Sequence, residues 1–256
     1  MGVGISVLLA LAGAAPLHAQ TAAASPAVEF IPRAVFHMSA ELLADEDPRL
    51  VWDTNFGGEI DVLDYRAGRL TFAANYQAML GEELRAFDPN QGNYILEGAL
   101  SARLSQVEVA GVFYHQSRHL ADRPKVAPID WNMIGGRARR TFLAGAMHLD
   151  VRADLRASIQ RSFVDYEWEF DGRARGDQVL RPGVGILVAA WIRHLGVDGS
   201  RDRGGQTGMR GEAGLRFEGG AGAAELFVAA ERRIDPYPLE FGSAGWVSAG
   251  FRLLTR

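Results

Sequence analysis

LAGAMHLDVRADLRASIQ, residues 143–160, decides the fold. Leu143, Gly145, Met147, Leu149, Val151, Ala153, Leu155, Ala157 and Ile159 take the odd positions. His148, Asp150, Arg152, Asp154, Arg156, Ser158 and Gln160 take the even ones from 148 on. Successive side chains of a β-strand point to opposite faces, so this segment has one apolar face and one carrying charges of both signs. A helix would scatter both sets around its girdle. At about 3.3 Å per residue the stretch makes a strand of roughly 60 Å, against ~17–20 Å in ordinary globular sheets. That length suits a membrane barrel.

Outward from this stretch the same pattern recurs. Alternation predicts strands over 33–43, 51–65, 69–78, 93–104, 107–117, 131–139, 143–160, 163–170, 179–194, 207–218, 222–233 and 245–254. Short turns are expected at 66–68, 105–106 and 140–141, a tight turn or bulge between 160 and 163, and a glycine-marked break at 172–176. Connections are mostly long after odd-numbered strands and mostly short after even ones. That rhythm predicts an all-β, antiparallel up-and-down transmembrane β-barrel of about 12 strands with both termini in the periplasm.

The ends and the composition fit this architecture. An apolar run at 7–15 and a small residue at Ala19 read as a signal peptide over residues 1–20, followed by a flexible leader at 21–32 and the barrel at 33–256. The apolar run is too short to span a bilayer as a helix, which takes ~20 residues. Cysteine is absent, which excludes disulfides and thiolate metal sites. A net charge of -4 argues against a nucleic-acid partner. The expected partners are membrane lipid and the barrel-insertion machinery, with the outer membrane as location. The chain ends Phe251-Arg252-Leu253-Leu254-Thr255-Arg256, so a terminal aromatic for that machinery is replaced by Phe251, five residues inside.

A soluble β-sandwich shows the same alternation, and a soluble periplasmic β-domain binding an apolar ligand is the competing fold. Strand length, repeated charges of both signs on one face and the loop rhythm favour the barrel. Within it, His148, Asp150, Arg152, Asp154 and Arg156 are expected to face the lumen as a charge ladder with Arg210, Glu212 and Arg103. Trp52, Trp131, Trp168, Trp246, Tyr76 and Tyr94 read as an interfacial girdle. Asp165, Glu167 and Glu169 share one face and suit either a hard cation or pairing with arginine, the latter being commoner on a lumen wall.

Chemistry concentrates on the fifth strand. Val107, Val109, Gly111 and Phe113 set the odd positions outward, and this parity carries His115 and Ser117 to the lipid-facing wall. Residues i and i+2 lie ~6.5–7 Å apart along a strand, within reach for an inclined imidazole and a hydroxyl. On the sixth strand Ile134, Gly136 and Ala138 outward make Asn132 outward too.

Tyr114-His115-Gln116-Ser117 with Trp131-Asn132 resembles the outer membrane phospholipase A family, twelve-stranded barrels with a serine esterase site on the outside surface. Lipid A deacylase barrels use a similar His-x-Ser arrangement. The resemblance implies Ser117 as nucleophile, His115 as base and Asn132 as the group orienting the imidazole, with calcium as a cofactor if the chain is a hydrolase. Arg118-His119 stands where the family has Asn-Gly. A longer resemblance, from Leu42-Leu43-Ala44-Asp45 through Tyr114-His115-Gln116-Ser117-Arg118-His119-Leu120, is to a family of predicted envelope proteins with no assigned function. The competing reading of His115 and Ser117 is a polar strand end at the membrane interface. The sequence thus leaves two membrane functions open: a structural or small-solute passage barrel, and a lipid-facing hydrolase.

Overall fold

The computed structural model describes residues 27–121, 123–124 and 127–255. The expected signal peptide and the first half of the expected leader, 21–26, lie outside the described residues. Twelve strands follow in order: β1 (Glu29–Ala44), β2 (Trp52–Asp64), β3 (Arg69–Gly81), β4 (Asp88–Leu104), β5 (Val107–His119), β6 (Ile129–Ala144), β7 (Met147–Ser162), β8 (Tyr166–Arg181), β9 (Val184–Val197), β10 (Gln206–Glu218), β11 (Gly222–Ile234) and β12 (Ser243–Thr255). Each pairs antiparallel with its chain neighbour, and β1 pairs with β12 to close the barrel. The up-and-down barrel expected from alternation is the observed fold. Closure removes every free sheet edge.

Period two decides what each wall touches. On β7, Leu155 and Ile159 point out and stay exposed, while Asp154 and Arg156 point in and are buried. Around the barrel Phe56, Phe72, Leu100, Phe113, Val228 and Val247 are likewise exposed. A soluble protein rarely exposes a contiguous apolar patch above a few hundred Å². A band of this kind around a closed, charge-filled sheet is the wall of a membrane-spanning barrel. A soluble domain would hold these faces inside, and they are outside.

Several boundaries differ from the sequence reading. β1 starts at Glu29, so residues 29–32 belong to a strand rather than to the leader. The turn before β7 sits at Gly145-Ala146, not at 140–141, and Leu143 belongs to the end of β6, which closes at Ala144. Gly145 takes φ +65°, a left-handed conformation that glycine adopts without a Cβ penalty. β8 runs from Tyr166 to Arg181, through the glycines expected to break it, and its turn is Pro182-Gly183 with Gly183 at φ +76°. The parity change expected near 160–163 is carried by two irregularities, one opposite Asn132/Met133 on β7 and one at Tyr166/Trp168 on β8.

The two barrel ends differ. After the even strands the gaps are short, such as 105–106, 145–146 and 182–183, and both described termini lie at that end. After β1, β5, β9 and β11 they are longer, covering 45–51, 120–128, 198–205 and 235–242. The β7–β8 link, 163–165, is the short exception among the odd-numbered strands.

Candidate functional site

Two surfaces carry polar chemistry: a patch on the outer wall near the long-loop end, and the lumen. On β5 the even residues Val112, Tyr114, Gln116 and Arg118 are buried inward, which leaves His115, Ser117 and His119 outward. Register sets Leu96 and Asn132 beside His115, and Tyr94 and Asp130 beside Ser117. The irregularity on β7 brings Gln160 opposite Asn132.

These side chains form a directed chain. Asn132 Nδ2 donates to Gln160 Oε1 at 2.6 Å, so its Oδ1 is the acceptor for His115 Nδ1 at 2.7 Å. Gln160 Nε2 in turn donates to Ser162 Oγ at 3.2 Å. A neutral His115 bonded through Nδ1–H keeps its lone pair on Nε2, the tautomer a general base needs. Ser117 Oγ, however, lies 3.3 Å from Nε2 of His119, not of His115. The structure therefore splits the expected trio: His115 and Asn132 are bonded to each other, and the serine is bonded to a histidine the sequence reading left out of the site. The outward parity of β5 continues to 119, so that signal was present. His119 meets Tyr94 edge-on at 5.3 Å, and the aromatic row runs on from Tyr94 to Tyr76 and Phe56 at 4.8 and 5.4 Å.

The expected girdle is only partly on the wall. Trp168 and Tyr94 point outward, but Trp131 and Trp246 are buried inside the barrel. Strand parity explains this: Trp131 precedes outward Asn132, and Trp246 precedes outward Val247.

The lumen charges pair along lines set by register. Arg152 binds Asp154 at 2.6 Å and Glu97 at 3.1 Å, Arg137 binds Asp154 and Glu97 at 2.7 Å each, and Arg139 binds Asp150 at 2.8 Å. Arg156 and Arg193 both hold Glu169. Across the barrel Arg210 holds Glu41, Glu212 and Glu231, while Arg252 holds Glu212 and Glu225. The β7 charges thus pair with β4, β6 and β8 rather than with Arg210 and Glu212, which form a second network on β10–β12 and β1. Arg103 pairs with Asp64 at the short-turn end, and His148 is exposed at that end of β7. Glu169 and Asp165 are arginine-paired, and Glu167 faces away from them, exposed. Among the described residues no group of three or more acidic or histidine side chains could hold a metal ion.

The long-loop end is capped from within. Ile129, Trp131, Met133, Tyr166 and Leu195 pack there with Ile234 as an apolar cluster. Segment 235–242 folds over them: Arg118 donates to the carbonyls of Asp235 and Pro236, and Gln91 also donates to Pro236. Arg203 clamps Asp165 and Asp235 at 2.5 and 2.8 Å, and Tyr166 donates to Asp235 at 2.7 Å. The hydrogen-bonded carboxylate of Asp165 raises the Arg203 pKa, burial opposes this, and Asp235 adds to the rise, so the clamp stays charged.

Below the cap three cavities stand in line. The first, about 570 Å³, touches Trp131, Tyr166 and Asp235. The second, about 280 Å³, shares Arg33, Glu59, Arg152 and Arg173 with it. The third, about 410 Å³, shares Arg33, Arg69, Glu108 and Arg139 with the second and reaches the β4–β5 turn at Ser105 and Gln106. The lumen is a polar compartment running from the short-turn rim to the cap.

Fold, apolar wall and charged lumen define a membrane-spanning β-barrel. No protein-family model and no curated protein matches the chain. Among solved structures it is similar to a KdgM porin (6% identity over 87% of this chain and 98% of that one, TM-score 0.46). It is also similar to LpxR from Salmonella typhimurium (9%, 86% and 99%, 0.48) and to outer-membrane expressed OmpT of Vibrio cholerae (8%, 90% and 99%, 0.46).

Proposed function

We propose that the chain is an outer-membrane barrel that takes a small polar solute into its lumen from the short-turn, periplasmic end, with segment 235–242 acting as the closure at the far end. The observation that carries this reading is the line of three adjoining polar cavities, each sharing arginines with the next, from the short-turn rim to the cap. A purely structural barrel has no need of that much polar space. Outer-membrane location is supported by the apolar wall, the asymmetry of loop lengths and the shared end of both termini. Assembly by the barrel-insertion machinery is part of this reading, with outward-facing Phe251 on β12 as its aromatic signal.

Planar-bilayer conductance tests it. The wild-type barrel is expected to show rare, small openings, and replacing 235–242 by a four-residue Gly-Ser turn is expected to raise open probability at least tenfold. An unchanged trace in the shortened variant, folded by heat-modifiable gel migration, would defeat the passage reading.

A second reading is a lipid-facing serine hydrolase. It is favoured by the 3.3 Å contact between Ser117 and His119 and by the oriented His115–Asn132 pair. Ser117 would be the nucleophile, with its proton taken by His119 or, after a rotamer change, by His115, the imidazole Asn132 orients. Nucleophile–base distances are often loose before substrate binds. Release of fatty acid from phospholipid or lipid A by detergent-solubilised protein, with and without calcium, and its fall by about a thousandfold in Ser117→Ala, is the expected result. Equal release by the variant would remove the serine from the chemistry.

A further inference from the structure

The lumen surface is not an even mixture of its two signs of charge. At two of its ion pairs a carboxylate lies against the wall with a guanidinium over it. The Asp171 side chain is 2% exposed and its partner Arg173 53%; Glu225 is 0% exposed and Arg175 30%. Charge-assisted bonds hold each acid in place, but the groups that meet the open space are N–H donors. Of the charged residues lining the middle cavity, seven are arginines and three are acids; in the cavity at the short-turn rim the ratio is five to one, and in the 570 Å³ cavity under the cap it is nine to eight. In a chain of net charge -4 the way in from the short-turn rim is thus faced by guanidiniums, while the capped end is nearly balanced.

At the capped end the donors outnumber what the protein supplies them. Trp131 Nε1 and Arg156 Nε have no hydrogen-bond partner among the described residues, although both side chains are almost wholly buried and both line the 570 Å³ cavity. Arg156 NH1 is also without a hydrogen bond and stands 3.6 Å from Glu97. The guanidinium is fixed by Glu169 on one side and by the Tyr114 ring, 4.3 Å from its centre, on the other. A buried donor left unsatisfied is destabilising, more so when it belongs to a charged group. Asn93 Oδ1, also buried and unpaired, adds one acceptor to the same lining. Two donor groups and one acceptor, on buried side chains that line a space of ligand size, fit a solute that carries an oxyanion and a hydroxyl.

We propose that the lumen is a binding site for a small hydrophilic oxyanion, a solute with carboxylate or phosphate groups and hydroxyls, held at the capped end by Arg156 and Trp131 and drawn in past Arg173. The proposal rests on the reading of the lumen as a solute compartment, not on the barrel opening at its far end. It makes Arg156 and Trp131 binding residues, and Asn93 the acceptor for a hydroxyl of the same solute.

The test is calorimetric titration of the full-length barrel, refolded in detergent, with citrate and, separately, with pyrophosphate; sucrose is the neutral control. Binding of one or both anions and none of sucrose is expected, and the stronger of the two distinguishes a carboxylate from a phosphate ligand. Arg156→Gln is expected to weaken binding about tenfold or more, and Trp131→Phe about threefold to tenfold, the effects of losing one hydrogen bond to a charged group. Because Arg156→Gln leaves Glu169 with only Arg193, Arg173→Gln provides a second variant: it alters a half-exposed side chain and is expected to weaken binding about threefold. No heat of binding with either anion on a folded wild-type barrel overturns the site, as does binding that all three variants leave unchanged. Anion binding without any conductance would remove the passage reading and leave the site standing. Conductance without anion binding would do the reverse.

Discussion

Glu169 shows how single side chains hold this interior together. It is almost wholly buried and accepts from both Arg156 and Arg193, so neutralising it strands two guanidiniums. Breaking a buried pair by removing one partner costs about 3–5 kcal/mol. Glu169→Gln is therefore expected to destabilise the barrel by about 3 kcal/mol or more in urea unfolding from phospholipid vesicles. Arg103→Gln, at the Arg103–Asp64 pair whose two side chains are both partly exposed, is expected to cost under about 1 kcal/mol. Equal effects of the two changes would mean that the lumen network is solvated throughout. At this scale the sequence was readable in part. The outward parity of β5 and β6 delivered His115, Ser117 and Asn132 to one patch, but the choice of His119 over His115 as the serine's neighbour depends on side-chain rotamers, which alternation does not set.

Among the elements, β7 and β8 mark the two extremes of legibility. β7 alternates apolar with polar, mostly charged residues from Met147 to Ala157, and its faces there were readable from sequence. β8 carries Gly172, Ala174 and Gly176 at its outward positions, opposite inward Asp171, Arg173, Arg175 and Asp177. With small residues where large apolar ones are expected, the segment looks polar throughout and its glycines look like a break. The structure gives the reason for the small residues: the space over Gly172 is taken by Phe170 and Ile192, and that over Gly176 by Met147 and Val188. Neighbouring strands thus cover the wall that β8 leaves bare. A strand with a clear lipid face carries a clear prediction. Leu155, outward on β7, replaced by Arg is expected to destabilise the barrel by about 2–4 kcal/mol, the cost of a cation on the lipid side near the midplane. Thr at the same position is expected to cost clearly less. Vesicle-based unfolding reads both, and a Leu155→Arg barrel as stable as the wild type would place that face against water.

For the molecule as a whole, topology was legible and closure was not. Twelve strands, antiparallel order and termini at one end follow from alternation and loop rhythm, because each is a property of neighbouring segments. The inward fold of 235–242 and the arginine clamp between Asp165 and Asp235 join residues distant in the chain, and no local pattern encodes them. In this barrel the charged face borders water and the apolar face borders lipid. Because the chain has no cysteine, single cysteines can carry a spin label at Leu155, Val228 and Val247 on the wall and at Arg173 in the lumen. In lipid bilayers the three wall labels are predicted to be relaxed mainly by dissolved oxygen and the Arg173 label mainly by a water-soluble nickel chelate. Wall labels relaxed by the chelate as strongly as the lumen label would contradict the account.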